Sequence, residues 1–234
     1  MATDSGPDSA VSGRRRNRQD EVLQAAIEVF HRKGYATASI QDVADSVGVL
    51  KGSLYHYIDS KEDLLARIFE GSDEQSFAMM GAIEDRGLTA VERLEAFSRD
   101  WSLWHLSNVE RASLYFNEWR HLTGERLQKV LKKRHDYEAA VVRMINDVKA
   151  EGKADPDFDA RYAAFFILSA INVLSSWYNP AGQDPPEHIA QVYADMIVGM
   201  VCHSHGRKRP RKATRTVKAA KATKGAKAKK KTTA

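Results

Sequence analysis

A chain of 234 residues is long enough for one medium domain or a small domain joined to a larger one, and 43% hydrophobic residues supply a sizeable core. Cys202 is the single cysteine, which excludes an internal disulfide and points to a reducing compartment, and no run of about 18 apolar residues is present to cross a membrane. The net charge of +5 is uneven: residues 206–234 hold 13 of the 36 basic groups and no acid, leaving 23 basic against 31 acidic groups in residues 1–205. A basic balance therefore argues for nucleic-acid binding through the tail alone, and the body must make its case from local residues.

Residues 1–13 are polar, lack the apolar stretch of a secretory signal, and read as a disordered leader, so the chain is expected in the cytoplasm. The first predicted helix runs from Arg18 to Arg32, with Val22, Leu23, Ala26, Ile27 and Phe30 on one face and Gly34 at its end. Ser39 to Ser46 forms a second, with Ser39 and Asp42 as a capping pair and Ile40, Val43, Ala44 and Val47 turned inward. Gly48 makes a turn, and a third helix covers about Lys51 to Tyr57. Ser60 and Asp63 resemble another capping pair, opening a helix through Leu64, Leu65, Ile68 and Phe69. These segments form a compact head over residues 14–70, with the helix-turn-helix motif at about 39–58.

Longer helices are predicted at 89–106, 109–121, 124–151, 158–178 and 186–204, broken at Gly87, Gly124, Gly152 and the Asn179 to Pro186 stretch. They build a ligand-binding and dimerisation bundle over residues 71–205, so the fold class is all-α with about nine helices. Residues 206–234 read as a disordered Lys/Ala-rich basic tail. Thirteen cations without an acid bind phosphate nonspecifically; the alternative is a dispensable solubilising extension.

The head carries the chemistry of groove binding. Ala44 lets the second helix approach the third, Gly48 permits a steep turn, and Gly52 lets the third helix come near another surface. Lys51, Ser53 and His56 are the candidates for base edges. Tyr55 either packs with its hydroxyl on phosphate or reads bases, while Tyr57 and Lys61 are expected to hold the DNA backbone. The amide ends near Ser39 and Ser60 can receive phosphate oxygens.

The run from Ser39 through Asp42-Val-Ala, Gly48-Val, Gly52-Ser-Leu-Tyr-His-Tyr57 and Ser60-Lys-Glu-Asp-Leu64 resembles the TetR-family signature, and the likeness covers Val29 to Leu65. It departs at Ile58, where the family usually has Phe, which touches packing more than recognition. The resemblance implies a bacterial transcriptional repressor, active as a homodimer on a palindromic double-stranded operator at the nucleoid. Its half-sites would lie about 34 Å apart. A small-molecule effector in the bundle would shift the helix beginning at Ser60 and release the DNA.

The dimer surface is expected on Tyr162, Phe165, Phe166, Leu168, Ile171, Val173, Leu174 and Trp177, with Ile189, Val192, Tyr193, Met196, Ile197 and Met200 on the next helix; the alternative is a pair of ordinary core helices, and both hold if one face packs inward and the other on a partner. Trp101, Trp104, His105, Tyr115, Trp119, Arg120, Met144, Asn172 and Trp177 are the candidate ligand residues, and Phe116, His121 and Arg134 could join them; aromatic residues at helical spacing also simply fill cores. Ser176-Trp-Tyr-Asn-Pro-Ala-Gly182 resembles a stretch of the TetR subgroup controlling sterol and fatty-acid catabolism, whose effectors are acyl-CoA thioesters. Leu168 and Asn172 stand where basic and aromatic groups for a CoA moiety would be expected.

No Gly-rich phosphate loop, zinc-protease helix or elbow serine is present, so no catalytic residue, enzyme activity or cofactor is assigned. Cys202, His203 and His205 cluster at the end of the last helix and are not assigned to a metal. The competing reading is an architectural, histone-like DNA protein, favoured by the tail and disfavoured by the acidic body.

Overall fold

The computed structural model describes residues 7–203, with side chains from Arg18 onward. The basic tail over 206–234, His205 and the first residues of the expected leader lie outside the described residues. Ten α-helices and one 3-10 turn make up the described chain: α1 (Pro7–Lys33), α2 (Ile40–Ser46), α3 (Lys51–Leu54), α4 (Lys61–Glu84), α5 (Ala90–Ser107), α6 (Val109–Asn117), the turn Trp119–His121, α7 (Gly124–Ala150), α8 (Ala160–Asn172), α9 (Leu174–Trp177) and α10 (Pro186–Cys202). The all-α reading holds, and no strand occurs among the described residues.

α1 starts at Pro7, ahead of the apolar spacing that marks Arg18, so the expected leader gives way to helix from residue 7. Once a helix is nucleated by packing, adding a residue at its end costs little. Its buried face is Val22, Ala26, Ile27, Val29 and Phe30, and Gly34 at φ +78° turns the chain out of it. α2 carries the expected capping box: Ser39 Oγ accepts from the Asp42 amide, and Asp42 accepts from the Ser39 amide at 2.8 Å. Gly48 at φ +67° lets α3 leave α2 at a steep angle, a backbone state that any side chain would strain.

α3 is shorter than the predicted Lys51 to Tyr57. After Leu54 the amides of Tyr57 and Ile58 both return to the Leu54 carbonyl, a tightened turn that brings the chain to the Ser60 cap. Ile58 is buried, so a large apolar residue fills that core position as the sequence implied.

α4 differs most from expectation. It does not stop near Glu70 but continues to Glu84, so the boundary between head and bundle falls inside one helix. Gly71 and Ser72 are weak helix formers, yet they lie inside α4, Ser72 fully packed, and packing overrides propensity. At about 1.5 Å per residue the rod is about 36 Å long. Leu64, Leu65, Ile68 and Phe69 belong to the head core, while Met80 and Ile83 belong to the bundle core. Between them lies a buried polar belt of Ser72, Asp73 and Ser76.

The head core is roofed by Leu114 of α6, Leu122 after the 3-10 turn and Val130 of α7. Fully burying Phe30 or Phe69 contributes about 2–3 kcal/mol each. The bundle core gathers Leu94, Phe97, Trp101, Val141, Ile145, Ile167 and Ile171, with α10 laid along α5. The predicted helix 158–178 is divided into α8 and α9 at Val173, where the Ser176 hydroxyl donates to the Val173 carbonyl at 2.7 Å and competes with the helical ladder. The predicted helix 109–121 likewise ends at Asn117 and tightens into the 3-10 turn.

Candidate nucleic-acid interface and effector cavity

α2, the Gly48 turn and α3 form a helix-turn-helix whose outer side is open. Lys51 and Gly52 are exposed, as are Tyr55 and His56 in the turn that follows, and Ser53 is half-buried. A methyl group added at Gly52 would meet nothing within 4 Å, so the close approach that Gly52 permits faces outward. Lys51 makes no hydrogen bond or ion pair with the described residues. Tyr57 is half-buried against the head core.

Two of the groups expected at phosphates have partners within the chain. The Lys61 ammonium lies 4.3 Å from the Tyr35 ring centroid and donates to the Ala36 carbonyl at 3.3 Å, and burial lowers its pKa. The Ser39 amide and hydroxyl both donate to Asp42, and the Lys33 ammonium at 2.6 Å, followed by those Ser39 bonds, holds the Asp42 carboxyl down at about 2.

Leu50 was not singled out in the sequence. It caps the start of α3 and is 80% exposed, the most open large apolar side chain described. The signal was an apolar residue immediately before an otherwise polar recognition face.

The head is clasped by the bundle on the same side as the Ser60 cap. Glu62 accepts from the Thr123 amide at 2.8 Å and the Thr123 hydroxyl at 3.0 Å. Asp63 pairs with Arg67 at 2.9 Å and Arg126 at 3.0 Å, and the His121 ring packs 4.9 Å from Tyr35. Burial, then the Glu62 and Glu118 carboxylates, raise the Tyr35 hydroxyl to about 12.

Farther along α4, a cavity of about 360 Å³ opens between α4, α5, α6, α7 and α8. Of the expected ligand residues, Trp101, Trp104, His105, Tyr115 and Asn172 line it, together with Phe116 and Arg134. Ser72 and Ser76 from α4, and Leu131, His135, Tyr137, Glu138, Phe165, Leu168 and Ser169, complete the wall. The α4 residues were missed because that stretch was not read as helix.

Four expected ligand residues lie elsewhere. Trp119 packs on the head core, and Arg120 stacks on its outer face at 4.4 Å. Met144 is buried in the bundle core, and Trp177 is an exposed side chain stacked on Tyr193. Cys202 and His203 close α10, with burial raising the Cys202 thiol.

The polar belt ties the cavity to α4. Asp73 accepts from the Tyr115 hydroxyl at 2.6 Å and the Tyr137 hydroxyl at 3.0 Å. Burial, outweighing those bonds, raises the Asp73 carboxyl, and burial also raises both tyrosines. His105 is 5% exposed and its Nδ1 has no partner; burial pushes it down to about 3, so the ring is neutral.

A helix-turn-helix with an open reading face, set on a helical bundle with its own cavity, defines a DNA-binding transcriptional regulator. The chain belongs to the TetR family: the profile described as "Bacterial regulatory proteins, tetR family" matches residues 22–68, and "Tetracyclin repressor-like, C-terminal domain" matches 87–201. It is 27% identical to the HTH-type transcriptional repressor KstR2 of Mycolicibacterium smegmatis over 194 residues, covering 82% of this chain and 94% of that protein. KstR2 of Rhodococcus jostii is 26% identical over 198 residues, covering 84% and 95%. The structure of ketosteroid transcriptional regulator KstR2 of Mycobacterium tuberculosis matches with a TM-score of 0.75 at 26% identity, over 79% of this chain and 95% of that one. AibR in complex with isovaleryl coenzyme A and operator DNA shares the fold, with a TM-score of 0.70 at 24% identity over 79% and 98%. The family and these relatives are regulators, not enzymes. Among the described residues no helix is long and apolar enough to cross a membrane.

Proposed function

We propose that the chain is a ligand-responsive repressor that binds a palindromic operator as a homodimer, in the cytoplasm at the nucleoid. The observation that carries this reading is the continuity of α4. Its first residue follows the Ser60 cap below the reading turn, and Ser72 and Ser76 stand in the cavity wall of the same rod. A ligand that displaces α4 at the cavity therefore moves the head, changing the spacing of two heads without unfolding either.

Lys51, Ser53 and His56 read base edges, and the exposed Leu50 offers an apolar contact for a thymine methyl group. Tyr55 and Tyr57 hold the backbone. The effector is an acyl-CoA thioester whose acyl part enters the cavity, a reading favoured by the Ser176 to Gly182 stretch, which resembles the subgroup with acyl-CoA effectors. In an electrophoretic shift assay on the operator, acyl-CoAs of increasing chain length should release the protein; unchanged shifts with all of them would defeat the effector assignment.

Dimerisation is supported by an apolar surface with no cover. Tyr162, Phe166 and Val173 along α8 and at its end, Trp177 on α9 and Met196 on α10 are exposed, while the opposite faces of α8 and α10 enter the bundle core. A patch of this composition on a free monomer is an association surface. Phe166 is 62% exposed, and Phe166→Glu sets like charges against each other across a two-fold interface. Sedimentation should change from dimer to monomer, and an unchanged dimer would place the interface elsewhere.

A further inference from the structure

Among the described residues, Arg134 on α7 is a charged side chain of the cavity wall whose Nη1 is buried with no hydrogen-bond partner, and no carboxylate pairs with it. Its guanidinium is held between the rings of Phe116 at 5.2 Å and Trp119 at 5.1 Å. Ring faces compensate a buried cation only in part. Burial is the leading cause of its lowered pKa; Tyr115 works against it, and Arg120, which also lies over the Trp119 ring, adds repulsion. Glu138, the carboxylate in the cavity wall, turns to Arg161 at 3.8 Å.

We propose that Arg134 is the anchor for an anionic oxygen group of the effector, whose apolar body lies against the aromatic wall of the cavity. This rests on the reading of the cavity as the effector site. Removing a charge from water is costly unless it is paired, so the unfilled Nη1 selects a ligand that supplies the missing anion. Arginine meets carboxylate and phosphate equally well through its planar fork. The anion is thus either the carboxylate of a free acid or a phosphate of a CoA thioester. Trp101 at the wall adds a second unpartnered donor, Nε1, which suits an acceptor oxygen and gives no help to an amine. Trp119 packs against the head core, so the anchor lies beside the joint between bundle and head.

The test uses the full chain and its tryptophan fluorescence, titrated with straight-chain acids of eight to sixteen carbons, the matched alcohols and the matched CoA thioesters. An anion on Arg134 is expected to bind at least about 10-fold tighter than the alcohol of the same length. Arg134→Gln should remove that preference and keep the alcohol affinity, while Arg134→Lys should keep part of it. A stronger acid than thioester assigns the carboxylate, and the reverse assigns the phosphate. Alcohols binding as well as both anions would overturn the anchor and leave the cavity reading standing. No binding by any of the three would overturn both.

Discussion

Replacing Lys51 with alanine is expected to weaken operator binding by about 30-fold or more at physiological salt, with stability changed by less than about 0.5 kcal/mol. A good base contact discriminates by about 1–3 kcal/mol, and a dimer on a palindrome makes each contact twice. Lys51 is exposed on α3 and makes no contact that its loss would leave unpaired. Lys61→Ala should behave in the opposite way. That side chain lies on Tyr35 and reaches the Ala36 carbonyl, so its loss removes packing and a cation–π contact worth about 1 kcal/mol. Thermal unfolding and quantitative footprinting of both variants separate the two roles. If Lys61→Ala abolished binding at full stability and Lys51→Ala did nothing, the assignment of reading and supporting lysines would be reversed.

Acid should destabilise the chain through His105. Its ordinary pKa is about 6.5, and burial in the folded chain pushes it down to about 3. Between these values the unfolded chain binds a proton that the folded chain refuses. The stability held above pH 6.5 is therefore lost as the pH falls, by about 2 kcal/mol at pH 5. Asp73 works with the opposite sign, because its raised carboxyl takes up a proton more readily when folded, and this contribution is common to both proteins compared. Urea unfolding at pH 7.5 and pH 5.0 should show the wild type losing about 2 kcal/mol more than His105→Gln. Equal losses would mean that His105 takes up its proton inside the fold.

The head was legible almost residue by residue because its signals are local. Ser39 and Asp42 cap α2 across three residues, Gly48 at φ +67° holds a backbone state that L side chains rarely adopt, and the apolar spacing from Val22 to Phe30 repeats within one helix. The cavity was legible only in part. Trp101 and His105 lie one turn apart on α5 and were found together, but Ser72 and Ser76 lie beyond Glu70, where the head was expected to end. The helix there is held by Asp73 bonding to Tyr115 and Tyr137, partners 42 and 64 residues away, which no local pattern reports. Trp119 and Met144 carried the same aromatic and flexible chemistry as the true wall, yet fell into neighbouring cores. Composition separates core from cavity poorly, since both are lined by the same residue types. The length of α3 was overestimated for a related reason, because the turn after Leu54 is set by the need to reach the Ser60 cap.

The most direct test of the central claim is protection of the DNA flanking the chain's own gene, at physiological salt with competitor DNA, using the full chain and a form ending at His205. The account predicts a short protected inverted repeat in both, with half-sites about one helical turn apart, lost in Lys51→Ala. Uniform coverage that disappears when the tail is removed would contradict it and favour an architectural role.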